Sequence, residues 1–319
     1  MKFGLLGYGK LGEAVEQALL RDERNQLVGI FTNRPTESVK AIGAEVISAE
    51  KIKNYEGEID CVIVCHGSAE AVPKEVPILA KYFNTVDCFD NHKEMKTYIE
   101  AVDKASRLNK KTAVVGAGWD PGLFSWARLL FAGLMPYAGV NTFWGPGISQ
   151  GHSQALRCLE GVYDAVQITT PMEEKVKKAE GGEILTNQTS THKRICYIAC
   201  DKSKEDDIRN AVLCMDNYFK GYETELIFTE VERVEMLRKK CGHKGRVLAV
   251  GSCEGSAAVQ RAELLLDLES NPEYTAGIIL SGAKACVRMG NDGIHGAYTF
   301  LDIQAKYLCP EEIDYMSFL

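Results

Sequence analysis

Three glycines near the N-terminus have the spacing of a loop that binds phosphate groups. Gly7, Gly9 and Gly12 form a G-x-G-x-x-G pattern that follows a short apolar run and precedes apolar residues at helical spacing. In that context the first glycine allows a tight turn, the second lets the backbone approach a pyrophosphate, and the third lets the helix pack on the strand. The alternative is a glycine-rich turn without a ligand. Dinucleotide binding is predicted for Gly7, Tyr8, Gly9, Lys10, Leu11 and Gly12.

The second predicted strand, over 27–31, ends in side chains that indicate which dinucleotide is used. Enzymes that use NAD usually place Asp or Glu there to bind the ribose 2'-hydroxyl. This chain has Thr32, Asn33 and Arg34, and no carboxylate before Glu37. A carboxylate would repel a 2'-phosphate, whereas a guanidinium can bind it through a charge-assisted hydrogen bond. We therefore expect NADP as the cofactor; the alternative is that Arg34 is an exposed loop residue.

Two aspartates follow later strands of the predicted sheet. Asp90 comes after the strand at 85–89, and Asp120 comes after the strand at 112–115. Because the strands of a doubly wound sheet end at one crevice, we expect both carboxylates beside the glycine loop. There they could hold a substrate ammonium group or transfer its protons, although each alone could be a cap or turn residue. Further cofactor-binding residues are predicted at the strand ends: Cys65, His66, Gly67, Ser68, Trp119, Asp120, Pro121 and Gly122.

Strands and helices alternate in the first part of the chain, and this rhythm stops near residue 118. Such alternation predicts an α/β fold with a Rossmann-type, doubly wound sheet. Alternating apolar runs later in the chain predict an open mixed sheet with strands over 165–170, 194–200, 223–229 and 246–250. Helices are predicted over 204–215, 257–268 and 275–289, a strand over 297–303, and a glycine-rich loop lining the site over 143–153. The chain is thus interpreted as an NADP-dependent oxidoreductase with a separate α+β substrate domain.

Length and composition are those of a soluble globular chain. The 319 residues are 45% hydrophobic and 25% charged, which excludes disorder, collagen and coiled coil. The net charge of -7 gives no electrostatic reason to expect nucleic acid or a membrane as partner. The 11 cysteines form no C-x-x-C pair, so we expect reduced thiols and no metal site. No leader precedes the first strand and the apolar stretch at 126–140 is too short to span a bilayer, so we expect a cytoplasmic protein.

Longer motifs resemble the meso-diaminopimelate dehydrogenase family. They are Gly-Trp-Asp-Pro-Gly-Leu-Phe at 118–124 and Phe-Trp-Gly-Pro-Gly-Ile-Ser-Gln-Gly-His-Ser at 143–153. Shorter matches lie at 85–87, 90–92, 191–194 and 271–272, and the resemblance extends from residue 1 to about 310. Several of these motifs are long and chemically unusual, so the resemblance is specific.

The resemblance implies a reaction and a domain arrangement. The family catalyses NADP-dependent, reversible oxidative deamination at the D-centre of meso-2,6-diaminopimelate, giving L-2-amino-6-oxopimelate, ammonia and NADPH. These compounds belong to lysine and peptidoglycan biosynthesis, and the enzymes are homodimers. We accordingly expect a dinucleotide-binding domain over 1–118, completed by about 290–319, and a substrate-binding and dimerisation domain over 119–289.

The resemblance also implies roles for individual side chains. The reacting D-centre would be surrounded by Asp90, Asp120, Trp144, Gln150 and Gly151. The distal L-end would be held by Thr169, Arg194, His243 and Asn271. We expect Asp120, with Asp90, to anchor the reacting ammonium group and to assist its proton transfers; which of the two is the general base stays open.

Three alternative functions are considered. Sugar or inositol oxidoreductases share the glycine loop but typically carry Glu-Lys-Pro where this chain has Asp90, Asn91, His92 and Lys93. A non-enzymatic NADP-binding sensor would need neither the aspartate pair nor a distal anion site. A broader D-amino acid dehydrogenase would use the same scaffold with looser distal contacts.

The family often has two arginines at the end of the second strand, where this chain has Asn33 and Arg34, so we expect NADP preference to depend on Arg34.

Overall fold

The computed structural model describes residues 1–67, 71–186, 190–216, 218–240, 242–310 and 312–319. Two compact units are present: Met1–Trp126 with Pro272–Leu319, and Ala127–Asn271. The strands are β1 Lys2–Leu6, β2 Gln26–Thr32, β3 Val46–Ser48, β4 Cys61–Val64, β5 Asn84–Asp87, β6 Thr112–Val114, β7 Ala138–Ile148, β8 Val162–Pro171, β9 His192–Cys200, β10 Glu223–Phe228, β11 His243–Gly251, β12 Gln260–Leu268 and β13 Gly296–Tyr298. The helices are α1 Lys10–Leu20, α2 Ala71–Leu79, α3 Met95–Leu108, α4 Leu123–Leu134, α5 Gln150–Arg157, α6 Glu173–Glu180, α7 Glu205–Cys214, α8 Val231–Lys240, α9 Asn271–Asn291 and α10 Ala305–Leu308.

The first unit contains a seven-stranded parallel sheet in the order β13-β6-β5-β4-β1-β2-β3. Its two faces carry separate apolar cores. On one face the side chains of β1 pack with α1 and α9, and on the other face the strands pack with α2 and α3. A parallel sheet covered on both faces explains why its strands are continuous apolar runs. The predicted Rossmann-type fold is confirmed.

Helix α9 returns the chain to the first unit earlier than expected. Ile279, Ala283 and Cys286 are fully buried in the same core as Phe3 and Leu5 of β1. The chain therefore re-enters the first unit at Pro272 rather than near residue 290, because the apolar face of α9 covers the parallel sheet. The chain leaves the first unit after Trp126 rather than after residue 118.

The second unit is an open mixed sheet in the order β10-β9-β8-β7-β11-β12. Strands β9 and β10 are parallel, and the other neighbours are antiparallel. The strands expected at 165–170, 194–200, 223–229 and 246–250 are all present, as is helix α7. The α+β substrate domain predicted from the alternating runs therefore has the expected mixed sheet.

Three local predictions in the second half were wrong. The helix expected at 257–268 is strand β12: its leucine-rich run fits either period, but it pairs along its whole length with β11 and is more buried at every second residue from Ala262 to Leu268. The loop expected at 143–153 is the end of β7 followed by α5: Gly145 and Gly147 lie in a strand that pairs with β11 across a register shift, and Gly151 lies in the first turn of α5. The strand expected at 297–303 ends at Tyr298.

Two further features concern only the residues described. No helix among them combines the length and apolarity that crossing a membrane requires. No group of three or more His, Cys, Asp or Glu side chains in these ranges converges as a metal site would require.

Substitutions of two isoleucines in α9 test whether this helix stabilises the parallel sheet of the first unit. Ile279 is fully buried against β1, whereas its neighbour Ile278 is only half-buried. We expect Ile279→Ala to lower the free energy of unfolding by about 2–5 kcal/mol, because it removes buried methyl groups and leaves a cavity. Ile278→Ala, the matched control, should cost about 1 kcal/mol. Denaturant unfolding measures both values, and hydrogen exchange should rise in β1 with Ile279→Ala. Equal losses in the two variants, or faster exchange confined to the second unit, would contradict this assignment.

Candidate active site

The glycine loop joins β1 to α1 with little room for side chains. Gly7 has a φ of +92°, and a Cβ there would lie 2.2 Å from Cδ2 of His66. A Cβ on Gly12 would lie 2.6 Å from the Gly7 carbonyl oxygen. At Gly9, by contrast, a Cβ would meet nothing within 4 Å, and no side chain caps the N-terminus of α1. Gly9 therefore stands on an open side of the loop, where N–H groups at the start of a helix can bind phosphate.

A buried carboxylate of α1 is hydrogen-bonded to Tyr8 of the glycine loop. Glu16 of α1 is fully buried, and its Oε2 accepts a hydrogen bond of 2.5 Å from the Tyr8 hydroxyl. Its carboxylate also accepts from the backbone N–H groups of Ile42, Gly43 and Ala44 at 2.9–3.2 Å. Burial raises the pKa of Glu16, but the Tyr8 hydroxyl and the three N–H groups outweigh burial, so the pKa lies below its ordinary value. Burial and the neighbouring Glu16 raise the pKa of Tyr8.

At the end of β2, Arg34 lies against the glycine loop. The Arg34 guanidinium donates to the Tyr8 carbonyl oxygen, and the backbone N–H of Arg34 donates to Oγ1 of the buried Thr32 at 3.1 Å. Asn33 donates through Nδ2 to Oε1 of Glu75 at 3.2 Å. The other Glu75 oxygen lies 2.6 Å from Nδ1 of His66, which follows β4. Glu75 of α2 thus connects two strand ends.

The remaining predicted cofactor residues lie at the ends of β4 and β6. Cys65 donates its N–H to the Leu6 carbonyl oxygen at 2.7 Å. Gly67 is exposed, and Ser68 lies outside the described residues. The loop after β6 closes tightly: Gly122 has a φ of +128°, and a Cβ there would lie 1.8 Å from the Gly118 carbonyl oxygen. This tight loop carries Trp119, Asp120 and Pro121, with Trp119 edge-on to the buried ring of Phe124 at 5.2 Å.

The two predicted acids belong to the first unit. Asp90 is exposed three residues after β5, and Asp120 is half-buried in the tight loop after β6. Strands β5 and β6 are neighbours in the sheet, with Thr85 paired to Ala113 and Val86 to Val114. The loops that carry the two carboxylates therefore leave the sheet side by side.

In the second unit, three of the predicted distal residues occupy one row of the sheet. The register pairs His243 with Gly147, Gly147 with Thr169, and Thr169 with Arg194. Arg194 donates through one guanidinium NH2 group to Oγ1 of Thr169 at 2.7 Å, and Gln167 donates to the same oxygen at 3.1 Å. Paired residues on neighbouring strands project from the same face, so the row presents one polar surface.

Arg194 is a buried cation without a carboxylate partner among the described residues. It is 9% exposed, its guanidinium lies 4.2 Å from the ring centre of Tyr222, and its buried Nε has no hydrogen-bond partner in this part of the chain. Burial lowers the pKa of Arg194, and burial also lowers the pKa of His243. Because an uncompensated buried charge is costly, this row is suited to binding an anion.

Trp144 is held by a histidine that the sequence analysis did not single out. The N–H of Trp144 donates to Nε2 of His192 at 2.8 Å, and the two rings lie 5.2 Å apart. An amide N–H can only donate, so Nε2 is unprotonated, and in the neutral ring Nδ1 donates to Oγ1 of Thr191 at 2.7 Å. His192 therefore fixes the backbone at Trp144.

Gln150 and Gly151 are exposed in the first turn of α5. The preceding Ser149 has its Oγ 2.6 Å from Nδ1 of His152. Burial, together with the charge of Arg194, lowers the pKa of His152 to about 3, so this ring is neutral at pH 7. Asn271, the last residue of the second unit, is half-buried at the start of α9.

Comparisons with known proteins agree on one family. A family model described as diaminopimelic acid dehydrogenase C-terminal domain matches residues 118–270. The meso-diaminopimelate D-dehydrogenase of Ureibacillus thermosphaericus is 36% identical over 315 residues, which cover 98% of this chain and 96% of that protein. This chain belongs to the meso-diaminopimelate D-dehydrogenase family.

Solved structures of similar proteins have the same fold. The DAP dehydrogenase of Corynebacterium glutamicum in complex with DAP has a TM-score of 0.91 and 35% identity, covering 98% of this chain and 96% of that chain. An engineered D-amino acid dehydrogenase bound to NADP+ has a TM-score of 0.89 and 32% identity, covering 99% and 98%. The predicted membership of the meso-diaminopimelate D-dehydrogenase family is confirmed, and the chain is a dehydrogenase.

Three residues that support the site in this family member were not predicted from the sequence. Glu16 lies beside the apolar stripe of α1 in the sequence rather than on it, so only the structure shows that its carboxylate is buried. His192 lies inside the motif at 191–194, next to the predicted Arg194. Glu75 carries no local signal, because its contacts come from strand ends that are distant in sequence.

Glu16 is expected to stabilise the glycine loop. Glu16→Ala leaves three backbone N–H groups and the Tyr8 hydroxyl without their acceptor, and should lower the free energy of unfolding by about 2–4 kcal/mol at pH 7. Glu13→Ala, an exposed carboxylate on the same helix, is the matched control and should cost less than about 1 kcal/mol.

The stabilisation by Glu16 should depend on pH in one direction. Because folding lowers its pKa, the advantage of wild type over Glu16→Ala is complete above the ordinary pKa of 4.5 and shrinks as the pH falls through the lower folded value. Urea unfolding at a series of pH values measures this difference. A difference that grows on acidification would show that Glu16 is not bound as an ionised carboxylate.

Proposed function

We propose that this chain is an NADP-dependent dehydrogenase that reversibly deaminates the D-centre of meso-2,6-diaminopimelate to L-2-amino-6-oxopimelate, ammonia and NADPH. The observation that carries the proposal is the row of Arg194, Thr169 and His243, in which the buried Arg194 guanidinium has no carboxylate partner among the described residues. A substrate with a second carboxylate far from its reacting carbon supplies the missing anion. A simple amino acid does not.

The distal L-end is assigned to the second unit. Arg194 presents a planar fork of donors that suits bidentate binding of the distal carboxylate. Thr169 orients that fork through its 2.7 Å hydrogen bond. His243, in the same row, offers a further donor, and Asn271 completes the set by family resemblance. The relative from Corynebacterium glutamicum was solved in complex with DAP, which supports the choice of substrate.

The glycine loop and the end of β2 fit NADP. Gly9 leaves the loop open at the start of α1, where a pyrophosphate can meet uncapped N–H groups. Arg34 is exposed beside that loop and suits a 2'-phosphate. Glu75, the carboxylate near this strand end, is hydrogen-bonded through one oxygen to Asn33 and through the other to His66. NADP+ bound there would supply the hydride acceptor, and the NADP+-bound relative supports this choice of cofactor.

The D-centre chemistry is assigned to the two aspartates. Hydride leaves Cα only when the amine nitrogen can donate its lone pair, so the ammonium group must first lose a proton. Asp120 and Asp90 together anchor this group and assist both proton transfers: the loss of a proton by the ammonium group, and the return of a proton as water adds and ammonia leaves. Family resemblance adds Trp144, Gln150 and Gly151 to the residues proposed for the D-centre. The enzyme acts as a cytoplasmic homodimer in lysine and peptidoglycan biosynthesis.

The test is NADPH formation by purified protein with NADP and, separately, meso-, LL- and DD-diaminopimelate. Activity on the meso isomer with little on the others is expected, because the two ends are read by different side chains. Equal activity on simple D-amino acids would instead indicate a broader D-amino acid dehydrogenase. NADP binding without turnover on any isomer would indicate a sensor and would refute the proposed reaction.

Arg194→Met should separate distal recognition from chemistry. The loss of a buried charged partner is worth about 2–5 kcal/mol, so kcat/KM for meso-diaminopimelate should fall roughly 30-fold or more. The kcat/KM for D-alanine, which has no distal carboxylate, should change little. Arg209→Met, an exposed arginine of α7, is the matched control. A parallel fall for both substrates would mean that Arg194 does not bind the distal end.

Arg34→Ala should weaken binding of NADP far more than binding of NAD. Loss of a charge-assisted hydrogen bond to the 2'-phosphate is worth about 1.5–3 kcal/mol, so the KM for NADP should rise roughly 10- to 100-fold. Arg21→Ala, an exposed arginine after α1, serves as the control. Equal effects of Arg34→Ala on the two cofactors would remove Arg34 from cofactor selection.

A further inference from the structure

Asp87 at the end of β5 is a buried carboxylate that the proposed chemistry does not use. It is 0% exposed, and it pairs with no Lys, Arg or His among the described residues. Its Oδ1 accepts from the N–H of Phe89 at 2.9 Å and of Gly116 at 3.3 Å. Its Oδ2 accepts from the Tyr98 hydroxyl at 2.6 Å. The side chain is therefore held by hydrogen bonds alone.

The two N–H groups belong to the two loops that carry the acids. Phe89 directly precedes Asp90, and Gly116 begins the tight loop that leads to Asp120. The backbone carbonyl of Asp87 also accepts from the N–H of Ala117 at 2.7 Å. One residue thus ties both loops to the same strand end.

Tyr98 of helix α3 contacts both Asp87 and Phe89. Tyr98 is 4% exposed, and its ring packs on Phe89 with centres 4.4 Å apart. The Tyr98 hydroxyl donates to Oδ2 of Asp87, and the N–H groups of Phe89 and Gly116 both donate to Oδ1. An apolar side chain at position 87 would leave these buried donors without an acceptor, which is costly. A carboxylate or a carboxamide satisfies the same geometry.

We propose that Asp87 is a positioning residue that sets the placement of Asp90 and Asp120 by binding both of their loops. The inference rests on the proposed function, because the two aspartates are its acids. Asp87 itself touches neither substrate nor cofactor in this role. Its effect reaches the chemistry through the backbone of 88–90 and 116–120.

Asp87→Ala should reduce kcat for meso-diaminopimelate tenfold or more, because the loops that carry Asp90 and Asp120 lose their common acceptor. Asp87→Asn should restore at least a third of wild-type kcat, because the amide oxygen accepts from the loops and the amide group donates to Tyr98. Asp120→Asn is the positive control for lost chemistry. Asp103→Ala is the matched control: this carboxylate of α3 binds the N–H of Ala297 and touches neither acid loop, so kcat should stay within twofold.

Hydrogen exchange gives a second readout that does not need turnover. Asp87→Ala should speed exchange in peptides covering 88–92 and 116–122 together, and Asp103→Ala should not. If wild type has no turnover, the proposed function fails, and this measurement still tests the role of Asp87. Wild-type kcat and unchanged exchange in folded Asp87→Ala would overturn the inference. Equal loss of kcat in Asp87→Asn and Asp87→Ala with unchanged exchange would also overturn it.

If Asp87→Ala does not yield folded protein, Tyr98→Phe keeps the inference testable. This variant retains the ring that packs on Phe89 and removes only the hydroxyl that holds Asp87. It should lower kcat about threefold and speed exchange in both loops. Wild-type values for kcat and for exchange would overturn the inference.

Discussion

The first unit depends on one constraint: backbone N–H groups in loops beyond the strand ends have no strand partner, and where they are buried they need an acceptor. Buried carboxylates supply it. Glu16 binds three N–H groups of the segment after β2 together with the Tyr8 hydroxyl, and Asp87 binds the loops after β5 and β6. Because an ionised carboxylate only accepts, and accepts several bonds at once, each one draws separate loops to a common point.

The second unit meets a different constraint, since it buries a cation rather than anions. Strand register aligns Arg194, Thr169 and His243 in one row, and His192 holds the backbone at Trp144. An antiparallel sheet suits this purpose because its side chains alternate between faces, so one face can be polar while the other packs. Because the Arg194 guanidinium has no carboxylate partner among the described residues, this row is suited to binding an anion.

Sequence reasoning succeeded where the signal was local. The glycine loop, the apolar strands of the parallel sheet and the stripe of α1 all depend on neighbouring residues, and the structure has them where they were expected. It failed at β12, where the run from Leu264 to Leu268 fits both periods and pairing with β11 decides. It also placed a loop over 143–153, because glycine and proline weaken a strand pattern without preventing pairing to neighbours.

The sequence by itself determined the fold class, the glycine loop and the family resemblance, because these follow from residue type and short spacing. The tertiary structure alone decided which distant residues meet. It brought Glu75 to Asn33, joined the loops of Asp90 and Asp120 at Asp87, and returned the chain to the first sheet at Pro272. These contacts depend on strand order and register, which are set by the packing of whole sheets and helices rather than by any local pattern.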